Sequence, residues 1–289
     1  MRLLSYWVLP IISGLVWLAT LLGLLLYWIV NTNQVKYPSM QGDQTIAYIS
    51  DVGAAELKPL FVAGCIITTV FLDLSFIADR LLRHRGRLVP NTSLGEKVLS
   101  GLCIFFAFVG TIGLCLLSGF DTAHYPTLHN IFLLLFIAGY LLSAIFICWE
   151  YQRLGKKYTE HSVLRTSFWV KLTFVIVELL LAIVFIVTNF RRLYNIAAIF
   201  EWIIAFIFSF YIFSFIIDLY PAVATRAGSQ QQNYRPATAL EMEEARLDQP
   251  GVPGQHLASQ DSDRTLTNAA GHPVAANKKS KTRTPYADF

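Results

Sequence analysis

The stretch Ile131-Phe132-Leu133-Leu134-Leu135-Phe136-Ile137-Ala138-Gly139-Tyr140-Leu141-Leu142-Ser143-Ala144-Ile145-Phe146-Ile147-Cys148-Trp149 contains no Asp, Glu, Lys, Arg or His. Its apolar residues do not alternate as in a half-buried strand; they run all round a helix, as a lipid-facing or bundle-facing helix requires. Crossing about 30 Å of hydrocarbon takes about 20 such residues. The stretch therefore reads as a membrane span, placed at about 130–149. Reading outward in both directions finds five more of the same kind, at about 7–30, 60–79, 97–118, 168–188 and 196–219. The first follows Met1-Arg2 and is about twice the length of a signal-peptide core, so it is expected to remain as an uncleaved helix.

Composition agrees with this division. The chain is 289 residues long, 55% hydrophobic and 15% charged, against about 45–50% and about 25% for a soluble domain. The apolar residues come in blocks within 1–221, while 222–289 holds none of the long runs. That pattern excludes one water-soluble globule, a coiled coil and a secreted disulfide scaffold. A net charge of +4, with its basic residues beside apolar segments, also argues against a nucleic-acid binder. The expected fold is all-α: a polytopic bundle of six transmembrane helices over 1–221 and a disordered cytosolic tail over 222–289. The tail is too polar to offset the entropy of ordering. Within it, Ala237 to Leu247 has helix-forming composition, and Lys278, Lys279, Lys281 and Arg283 form a basic cluster suited to anionic lipid.

Lys and Arg in short loops orient the bundle, because cationic segments resist translocation. One side carries Arg80, Arg83, Arg85 and Arg87 after the second span and Arg153, Lys156 and Lys157 after the fourth, with Lys97, Arg165 and Lys171 counted in the same two loops. These are assigned to the cytosol as a basic surface, which places both termini there. The opposite loops carry only Lys36, Lys58, Arg191 and Arg192. Asn91-Thr92-Ser93 matches a glycosylation acceptor but falls on the cytosolic side and is expected to stay bare. Cys65, Cys103, Cys115 and Cys148 all lie in spans and read chiefly as packing residues. A Cys65–Cys115 bond is a minor alternative, as is palmitoylation of Cys148 beside Trp149.

No hydrolase elbow, zinc-binding helix, phosphate loop or Cys-x-x-Cys pair occurs, so no catalytic residue, metal site or cofactor is expected. Polar residues retained against the membrane are the remaining candidates, since a charge at a helix centre costs about 2.5–3.5 kcal/mol on insertion scales. Asp73 and Glu178 lie within spans, and Glu201 opens the last one. Arg191 and Arg192 break the positive-inside pattern, which points to a partner: Glu201 or a lipid phosphate. The loop Asp121 to His129 adds His124 and His129. Asp51, His124, His129, Arg191 and Glu201 are thus the candidate outer cluster, holding a lipid headgroup or fixing the bundle. In the loop before the second span, Tyr48-Ile49-Ser50-Asp51-Val52-Gly53 reads as an extended piece, a Ser/Asp cap and a Gly hinge, and Pro59 starts the helix.

These same residues carry a resemblance. Tyr48-Ile49-Ser50-Asp51-Val52-Gly53-Ala54, Pro59-Leu60-Phe61, Gly64, the Arg-rich loop after span two, His129, and Asn195-Ile196-Ala197-Ala198-Ile199-Phe200-Glu201-Trp202 resemble the Frag/DRAM/Sfk family of six-span membrane proteins over about residues 5 to 220. The polar tail and the Phe120-Asp121-Thr122 loop look most like its fungal Sfk branch. That resemblance implies a non-enzymatic regulator at the plasma membrane, which supports the phosphatidylinositol 4-kinase complex and the distribution of phospholipid and sterol between leaflets. Its expected partners are membrane lipids and that kinase complex. Other branches imply lipid remodelling of glycosylphosphatidylinositol anchors in the secretory pathway, or autophagy-related signalling.

Overall fold

A computed structural model describes residues 6–158 and 162–224. The expected tail beyond Ala224, with its Ala237 to Leu247 segment and its Lys278, Lys279, Lys281 and Arg283 cluster, lies outside the described residues. The described elements are helical: α1 (Val8–Leu26), a π-helical turn (Tyr27–Asn31), α2 (Ile49–Gly53), α3 (Lys58–His84), α4 (Leu94–Gly119), α5 (Pro126–Lys157), α6 (Ser162–Phe190), α7 (Tyr194–Leu219) and α8 (Pro221–Ala224). Among the described residues, six helices are long and apolar enough to cross a membrane. The chain is an integral, multi-pass membrane protein.

The helices outrun the apolar segments that announced them. The second span extends to Lys58–His84 and the fourth to Pro126–Lys157, because backbone hydrogen bonding continues until a stop is built. Pro59 and Pro126 sit in the first turns of α3 and α5, where a missing N–H costs nothing. A capping box starts α4: Ser93 Oγ accepts from the Glu96 N–H at 3.3 Å, and Glu96 Oε2 accepts from the Ser93 N–H at 3.1 Å. Gly86 ends α3 at φ 66°. Its N–H donates to the Arg83 carbonyl and the Arg87 N–H to that of Leu82, the paired bonds that close a helix through a left-handed residue.

Each spanning helix packs on its neighbours in sequence, and α7 closes the ring against α1. Lipid offers little hydrophobic drive for helices to associate, so close backbone approach and interhelical hydrogen bonds take over. Between α4 and α5 a side chain at Gly113 would strike the Phe136 backbone at 2.5 Å, and one at Gly139 the Gly110 backbone at 2.4 Å. Ser143 Oγ donates to the Cys103 carbonyl at 2.8 Å across the same seam. Ser13 Oγ donates to the Thr68 carbonyl at 2.7 Å, joining α1 to α3. Trp17 Nε1 donates to the Ala205 carbonyl at 3.0 Å, joining α1 to α7. All four cysteines are free. Cys65 and Cys115 form no bond, and Cys148 is buried in the core, which withdraws it as an acylation site.

The bundle has two unlike ends. One bears the loops 32–57, 120–125 and 191–193, together forming a cap. The other bears the α3–α4 connection and the ends of α5 and α7, and is called the basic end below.

Candidate functional site

At the capped end the loop before α3 folds back onto α7. Asn195 Oδ1 accepts from the Thr45 N–H at 2.7 Å, the Thr45 hydroxyl at 3.2 Å and the Ile46 N–H at 2.9 Å. Trp202 Nε1 donates to the Ala47 carbonyl at 3.0 Å. Glu201 Oε2 accepts from the Ile49 N–H at 2.8 Å, and the Ser50 N–H also reaches this carboxyl. Ile49 and Ser50 open α2, so Glu201 answers donors that a helix start leaves without internal partners. The two segments that carry the family resemblance, one before α3 and one at the start of α7, are therefore each other's hydrogen-bond partners.

Asp51 closes the loop on itself. Its carboxylate accepts from the Ser39 hydroxyl at 2.6 Å, the Gln44 side-chain amide at 3.1 Å and the Tyr48 N–H at 3.0 Å. Burial and the nearby Glu201 and Asp51 carboxylates raise the Tyr48 phenol well above its ordinary pKa, keeping it a hydrogen-bond donor. It donates to Asn189 Oδ1 at 3.3 Å. The expected hinge at Gly53 is instead a close contact: a Cβ there would meet the Phe61 ring at 2.6 Å.

A cavity of about 290 Å³ opens beneath this cap, with Asp51, His129 and Glu201 among its walls alongside Gln44, Asn130 and Asn189. Three members of the expected outer cluster thus converge, and two do not. His124 is exposed and pairs with Asp121 at 2.8 Å. Asp121 is also held by Lys58 at 2.5 Å. Burial works against the Asp121 charge, but Lys58 and His124 prevail and hold its pKa well below the carboxylate range. Arg191 is exposed, and no ion pair joins it to Glu201. The basic pair ends α6. Arg192 sits at φ 58° and donates its N–H to the Asn189 carbonyl, while Leu193 donates to Thr188. Positive side chains at a helix C-terminus are favoured by the helix dipole, which accounts for their place without a carboxylate partner.

As acid–base groups the three cavity residues are poorly free. Asp51 has three protein donors, Glu201 is committed to α2, and His129 Nδ1 is bonded to the Phe120 carbonyl at 3.0 Å. Among the described residues no three His, Cys, Asp or Glu side chains gather as metal ligands. The cavity walls mix carboxyl, amide, hydroxyl and imidazole groups.

At the basic end, Arg85, Arg153 and Lys156 are exposed and Arg80 half-buried. Arg83 does not belong to this surface. It is buried, donates to Asp79 at 2.7 and 3.2 Å, and lies over the Tyr151 ring. One turn separates Arg83 from Asp79 on a face turned inward, so the pair neutralises itself inside the bundle. Arg87 bonds the Ala222 carbonyl, and Lys157 lies 3.7 Å from Glu96. Asn91 donates its amide nitrogen to Glu150 at 2.5 Å, which leaves no room for a glycan.

Sequence reasoning overlooked a buried pair here. Lys171, counted with the cytosolic cations although it falls within the expected span 168–188, is fully buried and lies 2.6 Å from Asp218. Its neighbours Phe168, Trp169, Val170 and Leu172 were the available signal: a lysine inside an apolar run needs a counter-ion. Of the intramembrane acids, Asp73 accepts from Thr111 at 2.8 Å, and Thr111 in turn meets the Tyr140 hydroxyl at 2.8 Å, a bridge across three helices. Glu178 has no such bridge.

No solved structure matches the chain. Among curated proteins it is similar to Protein sfk1 of Schizosaccharomyces pombe, 34% identical over 219 residues, covering 74% of this chain and 63% of that protein. It is also similar to Protein SFK1 of Saccharomyces cerevisiae, 28% identical over 180 residues, covering 53% of this chain and 51% of that protein. The chain thus spans between half and two thirds of the length of these relatives. A family model, Frag1/DRAM/Sfk1/Cwh43P N-terminal domain, matches residues 5–222. With all six spans inside that match and its two motif segments clasped together at the cap, the chain belongs to the Frag1/DRAM/Sfk1/Cwh43P N-terminal domain family.

Proposed function

We propose that this protein is a non-enzymatic regulator of lipid organisation at the plasma membrane, with both termini in the cytosol, and that it supports phosphatidylinositol 4-kinase signalling and the distribution of phospholipid and sterol between leaflets. The observation that carries the reading is the basic end. Arg85 from the α3–α4 connection and Arg153 and Lys156 from α5 stand exposed there, and each is worth about 1 kcal/mol toward anionic lipid near a membrane surface. Likeness to the two Sfk proteins supports the choice of this branch. The surface attracts phosphoinositide-rich membrane and the kinase assembly that works on it. Charge reversal at Arg85, Arg153 and Lys156 together should lower plasma-membrane phosphatidylinositol 4-phosphate, followed with a fluorescent lipid reporter. Undiminished reporter signal at equal protein level would count against the reading.

A further inference from the structure

A second cavity continues inward from the polar one, and the two share Ser50, Leu133, Phe185 and Glu201 as walls. It holds about 130 Å³ of open space between α5, α6 and α7, and Phe136, Tyr140, Ala182 and Phe208 give it an apolar lining. Its depth can be read on three helices independently. Leu133 to Ala144 on α5, Phe174 to Phe185 on α6 and Glu201 to Tyr211 on α7 all line it. At 1.5 Å per residue each interval is about 15–17 Å, near half of the roughly 30 Å hydrocarbon core. The slot is one leaflet deep and opens toward the cap.

Its polar groups select the occupant. Glu201 stands where the slot meets the polar cavity, and Tyr48 and Asn189 line the wider part. Glu178 lies in the slot wall, its Oε1 buried and without a hydrogen-bond partner. Val175, Glu178, Ala182 and Phe185 all line the slot, at spacings that put them on one helix face. Among the described residues, no lysine or arginine lines either cavity. A phosphate would meet carboxyl groups with no counter-charge, an arrangement that costs heavily away from water. A hydroxyl would donate to them.

We propose that the joined cavities bind one uncharged, hydroxyl-headed lipid drawn from the leaflet at the capped end, its head against Glu201 and its apolar body in the slot. This site is separate from the basic surface invoked above, and either can fail without the other.

The test uses the full-length protein in phosphatidylcholine nanodiscs with two photoactivatable probes of identical acyl chain, a monoacylglycerol and its phosphate-headed counterpart. The monoacylglycerol should label peptides from α5 and α6 saturably. Labelling should fall at least ten-fold in Ala182→Phe, which fills the slot, and persist in Ile183→Phe, which alters the exposed neighbour. Val175→Phe provides a second filled slot, and the melting temperature of each variant shows that it is folded. Competition by unlabelled diacylglycerol or by cholesterol would identify the source of the hydroxyl. Failure of both to compete, equal labelling by the phosphate-headed probe, or undiminished labelling in folded filled-slot variants would overturn the assignment. Phosphatidylinositol 4-phosphate measured in cells carrying Ala182→Phe separates loss of this site from loss of the basic-surface function.

Discussion

The two ends of the bundle deal with most of their buried polar groups in different ways, the Lys58–Asp121 pair at the capped end being the exception. At the capped end a loop of some length covers the helices, and its backbone N–H groups answer the carboxyls of Asp51 and Glu201 and the amide of Asn195. At the basic end charge is met by charge within and between helices, as in Asp79 with Arg83 and Lys171 with Asp218. A loop that satisfies acids through backbone donors leaves their remaining acceptor capacity facing a cavity. The paired Asp79 and Asp218 line neither of the two cavities. The contrast fits a cavity that lies under the cap and an opposite end whose exposed cations, Arg85, Arg153 and Lys156, are on the outside.

The largest effect that would test this contrast is expected at Lys171. Lys171→Met leaves Asp218 buried and uncompensated, and should cost about 3–5 kcal/mol, read as a lower melting temperature in detergent. Adding Asp218→Leu should recover most of that loss, because no lone charge remains. Failure of the double variant to recover would mean that the pair does more than neutralise itself.

A smaller effect is expected at the cap. Asn195→Ala removes the acceptor from the exposed Thr45 and half-buried Ile46 N–H groups, where water can take its place, at about 0.5–1.5 kcal/mol. Hydrogen exchange of those two amides should quicken while amides around Arg83 stay as they were. Equal quickening at both ends would show that they are not independent.

The smallest effect concerns acidity at Asp121, whose partner Lys58 is 37% exposed, so the pair is worth at most about 1 kcal/mol. The folded-state pKa of Asp121 is lowered. Its contribution is therefore present above the unfolded value, near pH 4, and is lost as pH falls toward the folded one. Lys58→Met raises the folded value, so the mutant should lose less stability than the wild type as pH is lowered from about 5 to about 2. Melting temperatures across that range measure the difference. Parallel curves would mean that Lys58 does not set the Asp121 charge.

Much of the fold was legible because a membrane imposes a rule that one segment at a time can obey. The run at 131–149 announces a helix with no knowledge of its neighbours, and Ser93 with Glu96 or Pro59 mark starts by local chemistry. Arg83 and Lys171 were misplaced for the opposite reason. Whether a cation near a span end faces water or a carboxylate depends on rotation about the helix and on which helix lies alongside. Asp79 is one turn from Arg83 and in plain view, but Asp218 is 47 residues from Lys171 along the chain. Of the outer cluster, Asp51, His129 and Glu201 do meet, whereas Arg191 and His124 share their level without sharing their wall.

By itself the sequence determined the solvent, the number of spans, their approximate bounds and the family, since each follows from local composition or from residues in fixed order. Only the tertiary structure decided that Ala47 to Ser50 clasps Asn195 to Trp202, that Arg83 and Lys171 turn inward, and that a polar cavity runs on into an apolar slot past Glu201. Those features depend on contacts between segments distant in the chain, where the geometry of packed helices, and not the order of residues, sets which groups meet.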